Sequence, residues 1–125
     1  MADQLSQEEI LRYSRHLIIP EVGLAGQQKL KATSVLVVGT GGLGSPVALY
    51  LAAAGIGKIG LVDSDVVDVS NLQRQILHDT PHEGQLKVSS GRERLLALNP
   101  SVAVEAFSDC FNDQTAEKIA AGYDI

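Results

Sequence analysis

The glycine-rich run from Gly39 to Gly44 limits the fold of this chain more than any other part of it. It reads GTGGLG and follows an apolar, mainly β-branched run at 34–38 that is typical of a parallel strand covered on both faces. The next stretch, 42–54, has a helical pattern and tolerates Pro46 in its first turn. Glycines here allow a tight turn, close approach of a phosphate to the backbone and packing of helix on strand. The run therefore predicts a nucleotide phosphate site at a helix N-terminus, with a purely structural turn as the alternative.

The rest of the chain alternates helices and strands. Helices are predicted at 24–32, 85–98 and 114–121, the last capped by Asp113, and strands at 59–62 and 102–107. Ahead of them, Ser6 and Glu9 have capping-box spacing and begin a helix predicted over 6–16. Right-handed crossovers give the strand order 3-2-1, and a fourth strand beginning at Ile125 would lie on the free flank of the first. We expect an α/β fold: half of a Rossmann-like parallel sheet with its fourth strand truncated, preceded by an N-terminal helical segment.

Composition argues against several classes of function. With 45% hydrophobic and 20% charged residues the chain can bury a core, while a net charge of −5 and 4% aromatic residues argue against nucleic-acid binding. Its one cysteine, Cys110, cannot form an internal disulfide or a structural zinc site, and we expect a buried or half-buried thiol. Neither a secretory signal nor an apolar run of about 18 residues is visible, which favours a cytoplasmic protein without a membrane partner.

Acidic residues follow the second predicted strand. Asp63 stands at its end, where a carboxylate can accept hydrogen bonds from ribose hydroxyls; the alternative is a strand-end residue that starts a turn. Asp68 is predicted to be a solvated charge in a loop. We find no metal-ligand cluster, and His16, His78 and His82 are expected to be structural or surface residues, since no nucleophile or paired carboxylate accompanies them.

The segment between Asp63 and the next helix is far longer than a usual strand-to-helix connection, which has about two to six residues. It carries the run SNLQRQ at 70–75, and Lys87 lies near the start of the following predicted helix. A dehydrogenase leaves the charge of its diphosphate largely to the glycine loop, whereas attack on a nucleoside triphosphate needs arginine and lysine where charge develops. No GxxxxGK[ST] motif is present. The alternative is that Arg74 and Lys87 are solvated surface charges.

Four motifs in this order resemble the MoeB/ThiF family, the bacterial relatives of ubiquitin-activating enzymes. They are RYSRHL at 12–17, VLVVGTGGLGSPVALYLAAAGIGKIGLVDSDVV at 35–67, SNLQRQILH at 70–78 and GQLK at 84–87. The resemblance covers nearly the whole chain from Ser6 onward. It implies ATP-dependent adenylation, with Mg²⁺, of the C-terminal glycine carboxylate of a ubiquitin-like sulfur-carrier protein of the MoaD/ThiS kind. That step would activate the carrier for sulfur transfer in molybdopterin, thiamine or related biosynthesis.

The same resemblance implies a role for each matched position. Asp63 would hold the ribose, and Asp65 would belong to the polar shell around the phosphates and magnesium. Arg74 and Lys87 would stabilise the transition state as pyrophosphate leaves. Arg15, otherwise an exposed charge on an amphipathic helix, would cross a homodimer interface to the partner's triphosphate. The implied nucleotide-binding residues are Gly39, Gly41, Gly42, Gly44, Asp63, Asp65, Asn71, Arg74, Gln75 and Lys87, and the implied catalytic residues are Arg15, Arg74 and Lys87.

Part of the family's pattern would lie after Ile125. This includes a magnesium-linked aspartate, a sulfur-transfer cysteine and two CxxC pairs, so zinc is expected only there. We expect an N-terminal helical arm at 1–33, which serves the dimer and the partner's site, and a nucleotide-binding Rossmann-like part at 34–125 that is incomplete at its C-terminus. Two alternatives stay open: the cofactor domain of an NAD(P)-dependent oxidoreductase, and a nucleotide-binding, dimerising fragment of a longer enzyme that is inactive by itself.

Overall fold

A computed structural model describes residues 4–125 of the chain. It contains short helices at its start, then strands and helices in alternation, as the glycine run and the apolar periodicity predict. The elements in chain order are α1 (Gln7–Arg12), α2 (Ser14–Leu17), α3 (Gly23–Ala32), β1 (Ser34–Val38), α4 (Gly44–Ala54), β2 (Lys58–Val62), α5 (Lys87–Leu98), β3 (Ala103–Phe107) and α6 (Ala116–Ala120). Two single turns of 3₁₀ helix, Val69–Asn71 and Thr80–His82, lie in the long connection between β2 and α5.

The first helix begins as its capping box predicts but ends early. The Ser6 hydroxyl accepts a hydrogen bond from the Glu9 N–H at 3.1 Å, and the Glu9 carboxylate accepts one from the Ser6 N–H at 3.0 Å. The helix predicted over 6–16 is instead divided into α1 and α2 at Tyr13. The Tyr13 side chain is buried, and its hydroxyl accepts a hydrogen bond from the Asn99 side chain at 2.7 Å. The break therefore coincides with a contact to a residue far along the chain, which local periodicity does not encode.

The sheet has the predicted topology. Its three strands are parallel in the order β1-β2-β3, with Ser34 opposite Lys58 and Lys58 opposite Ala103. On the flank of β1 away from β2, the Ile125 N–H donates to the Ser34 carbonyl at 3.2 Å, and the Leu36 N–H donates to the Ile125 carbonyl at 2.8 Å. These bonds follow the parallel ladder pattern. Ile125 thus lies along the free flank of β1, as the predicted strand order requires.

The hydrophobic core lies on one face of the sheet. Alternate strand residues, among them Val35, Val37, Ile59 and Leu61, pack with Ala48 and other apolar side chains of α4 and α5. The prediction that β1 is covered on both faces is wrong for the described residues, since Val38 is 53% exposed. The physical reason is handedness: right-handed crossovers from β1 to β2 and from β2 to β3 place α4 and α5 on the same face.

The end of the described chain also differs from prediction. The last helix, α6, begins at Ala116, and Asp113 does not cap it. Instead, the Asn112 side-chain oxygen accepts hydrogen bonds from the N–H groups of Gln114 and Thr115, at 2.9 and 3.2 Å. Asparagine readily forms such a turn, which here takes the place of the predicted cap. Within residues 4–125 no helix combines the length and the apolar character needed to cross a bilayer.

The long connection is joined to α5 by a histidine between two carboxylates. His82 Nδ1 contacts the Asp79 carboxylate, and Nε2 lies 2.5 Å from the carboxylate of Glu93 on α5. Hydrogen bonds to Asp79 and then to Glu93 raise the pKa of His82 above its ordinary value. The hydrogen bond from His82 in turn lowers the pKa of Asp79. A protonated His82 beside an ionised Asp79 is therefore favoured at pH values above the pKa of Asp79 and below that of His82.

This arrangement predicts a pH-dependent difference in stability between the wild-type protein and the His82→Gln variant. Since the folded-state pKa of His82 is raised, its contribution is complete below the unfolded value of about 6.5 and is lost as the pH rises through the folded value. We expect His82→Gln to cost under about 1 kcal/mol at pH 6, because these carboxylates are partly exposed, and progressively less toward pH 9. Urea unfolding of both proteins across this range measures the difference; a difference that grows with pH would contradict the assignment.

Candidate functional site

Two glycines of the run 39–44 are required by the backbone. Gly39 has φ +90°, a conformation that side chains other than glycine rarely adopt. A Cβ on Gly44 would lie 1.9 Å from the Gly39 carbonyl oxygen, so the start of α4 packs directly on the end of β1. A Cβ on Gly41 or Gly42, by contrast, would meet only side chains, at 3.5 Å or more. Gly39 and Gly44 thus shape the loop, while Gly41 and Gly42 leave its outer side open.

The loop presents backbone donors. Among the described residues, the N–H groups of residues 41–44 have no hydrogen-bond acceptor, and the first bond into α4 is from the Ser45 N–H to the Gly41 carbonyl at 2.9 Å. Unpaired N–H groups at the start of a helix carry partial positive charge and bind anions. This geometry suits a phosphate group.

Asp63, at the end of β2, is bound to this loop. One carboxylate oxygen accepts hydrogen bonds from the N–H and the hydroxyl of Thr40, at 2.8 and 3.0 Å. The other oxygen accepts the Asp65 N–H at 2.9 Å. Partial burial raises the pKa of Asp63, but these hydrogen bonds outweigh it and hold the pKa below its ordinary value. Asp63 is therefore ionised at neutral pH, and one acceptor position on its second oxygen stays open.

Lys87 brings a buried cation to the same place. It is the first residue of α5, its side chain is 7% exposed, and its ammonium lies 3.8 Å from the Asp65 carboxylate. Its N–H donates to the Asp65 carbonyl at 2.9 Å. Its charge also helps to lower the pKa of Asp63. Among residues 4–125 this ammonium has one distant carboxylate partner, which leaves it donors that an anion can accept.

The run 70–75 supplies further polar groups. The aliphatic part of the exposed Arg74 side chain lies beside Gly42, and its guanidinium reaches the Ser70 carbonyl at 3.4 Å. Gln75 is 5% exposed beside Gly41, and its Oε1 has no hydrogen-bond partner among the described residues. Asn71 is different: its side-chain oxygen accepts the Asp68 N–H at 3.2 Å and so completes the capping box of the first 3₁₀ turn, whose N-cap is Asp68.

A cavity of about 270 Å³ opens at the carboxyl ends of all three strands, beside the glycine loop. Such an edge is where open α/β sheets bind ligands. Cys110 lines this cavity and is exposed, with its Sγ 3.4 Å from the Ser64 hydroxyl, so the prediction of a buried or half-buried thiol is wrong. The cause is its place in the loop after β3. A larger cavity of about 600 Å³ lies beside α6 and does not include the loop. Lining the smaller cavity are Val38, Gly39, Val62, Asp63, Ser64, Asp109, Cys110 and Phe111.

Arg15 is not brought to this site within one chain. Tyr13, two residues before Arg15, packs on Gly55, where a Cβ would come within 2.7 Å of the tyrosine ring. Gly55 ends α4, whereas the glycine loop precedes it, and a helix of 11 residues is about 16 Å long. The exposed Arg15 side chain therefore lies near the C-terminal end of α4, whereas the glycine loop lies at its N-terminal end. Every other site residue expected from the sequence lies on the loop, on the connection after β2, or at the start of α5.

The sequence did not single out His78 for the site. Its side chain is buried, which fits the expectation of a structural or surface residue. It nevertheless contacts the glycine loop, since Nε2 lies 2.9 Å from the Thr40 carbonyl oxygen. The other ring nitrogen lies 2.8 Å from the Ser90 hydroxyl on α5. No local pattern could reveal these contacts, since they join residues of three separate segments.

The ThiF family model matches residues 13–125 of the chain. The chain belongs to the ThiF family. The probable adenylyltransferase/sulfurtransferase MoeZ of Mycobacterium tuberculosis is 50% identical over 124 residues, which cover 99% of this chain and 32% of that protein. The adenylyltransferase and sulfurtransferase MOCS3 of Sus scrofa is 52% identical over 121 residues, covering 97% and 27%. The chain thus spans about a third or less of the length of these relatives.

Several solved structures have the same fold as this chain. PaaA has a TM-score of 0.88 at 33% identity, covering 98% of this chain and 41% of that one. The Escherichia coli tRNA N6-threonylcarbamoyladenosine dehydratase TcdA, solved in complex with AMP, has a TM-score of 0.85 at 31% identity, covering 94% and 48%. The α/β, Rossmann-like prediction and the resemblance to the MoeB/ThiF family are both confirmed.

Proposed function

We propose that the protein activates a carboxylate with ATP, as an adenylyltransferase. The observation that carries this proposal is the meeting of unpaired loop N–H groups with the cations of Lys87 and Arg74, from segments far apart in the sequence. A diphosphate needs little beyond the loop, whereas a triphosphate also needs the cations. Relatives named adenylyltransferases and a neighbour that binds AMP support the same conclusion.

The residues present fit ATP. The N–H groups of 41–44, which have no acceptor among the described residues, lie at the glycine loop and suit the phosphate oxygens, and the Gln75 side-chain amide nitrogen lies beside Gly41. Gly39 and Gly44 form the turn, and Gly41 and Gly42 leave room for a phosphate. Asp63 has one acceptor position left, which suits a ribose hydroxyl. Bound ATP would supply an electrophilic α-phosphorus and pyrophosphate as leaving group.

The protein's own part is positioning and electrostatics. The substrate carboxylate is itself the nucleophile, so no general base is needed. We propose that Arg74 and Lys87 stabilise the charge that develops as pyrophosphate leaves, with Asn71 and Gln75 in the polar surroundings of the phosphates. Asp65, exposed and 3.8 Å from the Lys87 ammonium, suits the shell around the phosphates and Mg²⁺. No group of three His, Cys, Asp or Glu residues that could hold a metal occurs within 4–125.

We propose that Arg15 acts on a partner subunit's triphosphate in a homodimer. Its place near the C-terminal end of α4 supports this, because the side chain then lies away from the glycine loop of its own chain. The N-terminal segment 1–33 would be the arm that carries it, and 34–125 the nucleotide-binding part. Mixing an Arg15→Ala protein with an Arg74→Ala protein tests the arrangement: mixed dimers should regain activity that neither variant has alone.

We propose a ubiquitin-like sulfur-carrier protein as the substrate, with its C-terminal glycine carboxylate adenylated in the cytoplasm. Support comes from relatives named sulfurtransferases and from the probable molybdopterin-synthase adenylyltransferase of Porphyra purpurea, 49% identical over 120 residues. Molybdopterin biosynthesis is accordingly the first pathway to test, with thiamine biosynthesis second. Zinc, if bound, would be held outside residues 4–125.

The test compares nucleotides and then measures exchange. We expect MgATP at 100 times its Kd to stabilise the full-length protein by about 2.7 kcal/mol, and NAD(P) to have little effect. Carrier-dependent exchange of pyrophosphate into ATP should follow, and a carrier lacking its terminal glycine should support none. Preferential stabilisation by NAD(P) would instead favour the oxidoreductase alternative. Binding of ATP without any exchange by residues 1–125 alone, beside exchange by the full-length protein, would favour the nucleotide-binding, dimerising fragment.

A further inference from the structure

His78 is a buried titratable group to which the proposed reaction gives no role. It lies in the connection between β2 and α5, is 5% exposed, and contacts Thr40 of the glycine loop and Ser90 of α5. A carbonyl oxygen can only accept, so Nε2 must carry a proton and donate to Thr40. Nδ1 of the neutral ring then accepts from the Ser90 hydroxyl. Both contacts are satisfied by one neutral tautomer.

Burial and a nearby charge keep the His78 ring neutral. Burial lowers the pKa of His78 below its ordinary value, and the nearby Lys87 ammonium lowers it further, against an opposing effect of the Thr40 hydrogen bond and of Asp63. His78 is therefore neutral at physiological pH. A neutral ring adds no positive charge that would compete with Lys87 for an anion.

The hydrogen bond from His78 to the Thr40 carbonyl determines the direction of the Gly41 N–H, the next donor along the chain. In a planar trans peptide, the C=O of one residue and the N–H of the next point in opposite directions. When His78 holds the Thr40 carbonyl toward the interior, the Gly41 N–H must face the other way, toward the open side of the loop. The Gly41 N–H has no acceptor in the part of the chain that the structure describes. The Ser45 hydroxyl supports the same carbonyl from 3.3 Å.

We propose that His78 is a positioning residue for nucleotide binding: by holding the Thr40–Gly41 peptide plane, it aims the Gly41 N–H at a phosphate. This inference rests on the proposed ATP-binding function. The proposed site then includes residues that do not contact the nucleotide. Ser90 orients the His78 ring, and His78 orients the peptide of the glycine loop that binds the anion. Residues that touch no nucleotide thereby set the affinity for it.

Two substitutions at His78 and one at another histidine test the proposal in the full-length protein. His78→Leu removes the donor at similar volume, while His78→Gln keeps an N–H donor at a similar distance from the backbone. His82→Leu is the matched control, because His82 lies in the same connection but contacts Asp79 and Glu93 rather than the loop. For each protein we would measure Kd for ATP by calorimetry, KM for ATP and for the carrier in pyrophosphate exchange, and the urea midpoint.

We expect His78→Leu to raise Kd and KM for ATP about tenfold or more, as for loss of one charge-assisted hydrogen bond, with KM for the carrier unchanged. His78→Gln should recover most of the affinity, and His82→Leu should keep it even if its urea midpoint falls. Equal ATP affinity in wild type and His78→Leu would overturn the proposal, as would no recovery in a stably folded His78→Gln protein. If the wild-type protein itself neither binds ATP nor exchanges pyrophosphate, the proposed function has failed rather than the role of His78.

Discussion

Replacing Gly44 with alanine is expected to lower the free energy of unfolding by roughly 3 kcal/mol or more, which is a large part of the stability of a domain. The new Cβ would lie 1.9 Å from the Gly39 carbonyl oxygen and 2.9 Å from its carbonyl carbon. Both are backbone atoms, so no side-chain rotation can relieve the contact. Either α4 must move away from β1 or the loop must change its path, and both changes disturb the unpaired N–H groups. Urea unfolding followed by circular dichroism measures the loss.

Gly42→Ala is the matched control for this substitution. Its Cβ would meet only the flexible Arg74 side chain, at 3.8 Å or beyond, and we expect stability to change by no more than about 0.5 kcal/mol. ATP binding should nevertheless weaken, since the added methyl group stands where a phosphate would approach the backbone. If Gly44→Ala is as stable as Gly42→Ala, the close packing of α4 on β1 is wrong.

Replacing Lys87 with methionine is expected to reduce kcat/KM for pyrophosphate exchange by about 10²–10³-fold, the usual cost of removing one group that stabilises developing charge. Methionine keeps most of the apolar stem, so the effect reports the lost ammonium rather than a cavity. Arg74→Ala should give a loss of the same order. Lys87→Arg should not restore activity, because the planar guanidinium does not fit a buried site shaped for an ammonium.

The control for both cations is Lys29→Ala, which removes an exposed lysine of α3 and should leave exchange unchanged. Rates are to be measured on proteins whose urea midpoints match the wild type, so that folding does not enter the comparison. Near-normal exchange in both Lys87→Met and Arg74→Ala would refute their proposed roles.

Much of the fold could be predicted from local pattern. The β-branched run at 34–38 predicts β1 with the bounds that the structure has, and the handedness of βαβ crossovers predicts the strand order. The errors have different causes. Tyr13 interrupts the first helix where its side chain meets the distant Asn99, whereas the turn before α6 is a local one that Asn112 rather than Asp113 organises. Val38 is exposed because both long helices cover the other face of the sheet.

The candidate site divides in the same way. The glycine run, the strand-end Asp63 and the run at 70–75 are visible in the sequence because each depends on neighbouring residues. The burial of Lys87 and the orphaned oxygen of Gln75 are not visible there.

The sequence by itself determined the family, the order of the strands and the place of a phosphate-binding loop, since short-range spacing and chain handedness specify these. Only the tertiary structure decided that His78 reaches Thr40, that Lys87 is buried near Asp65, and that Arg15 lies at the far end of α4. The reason is physical. Packing α5 and the long connection against the start of α4 brings together residues whose spacing along the chain carries no periodic signal.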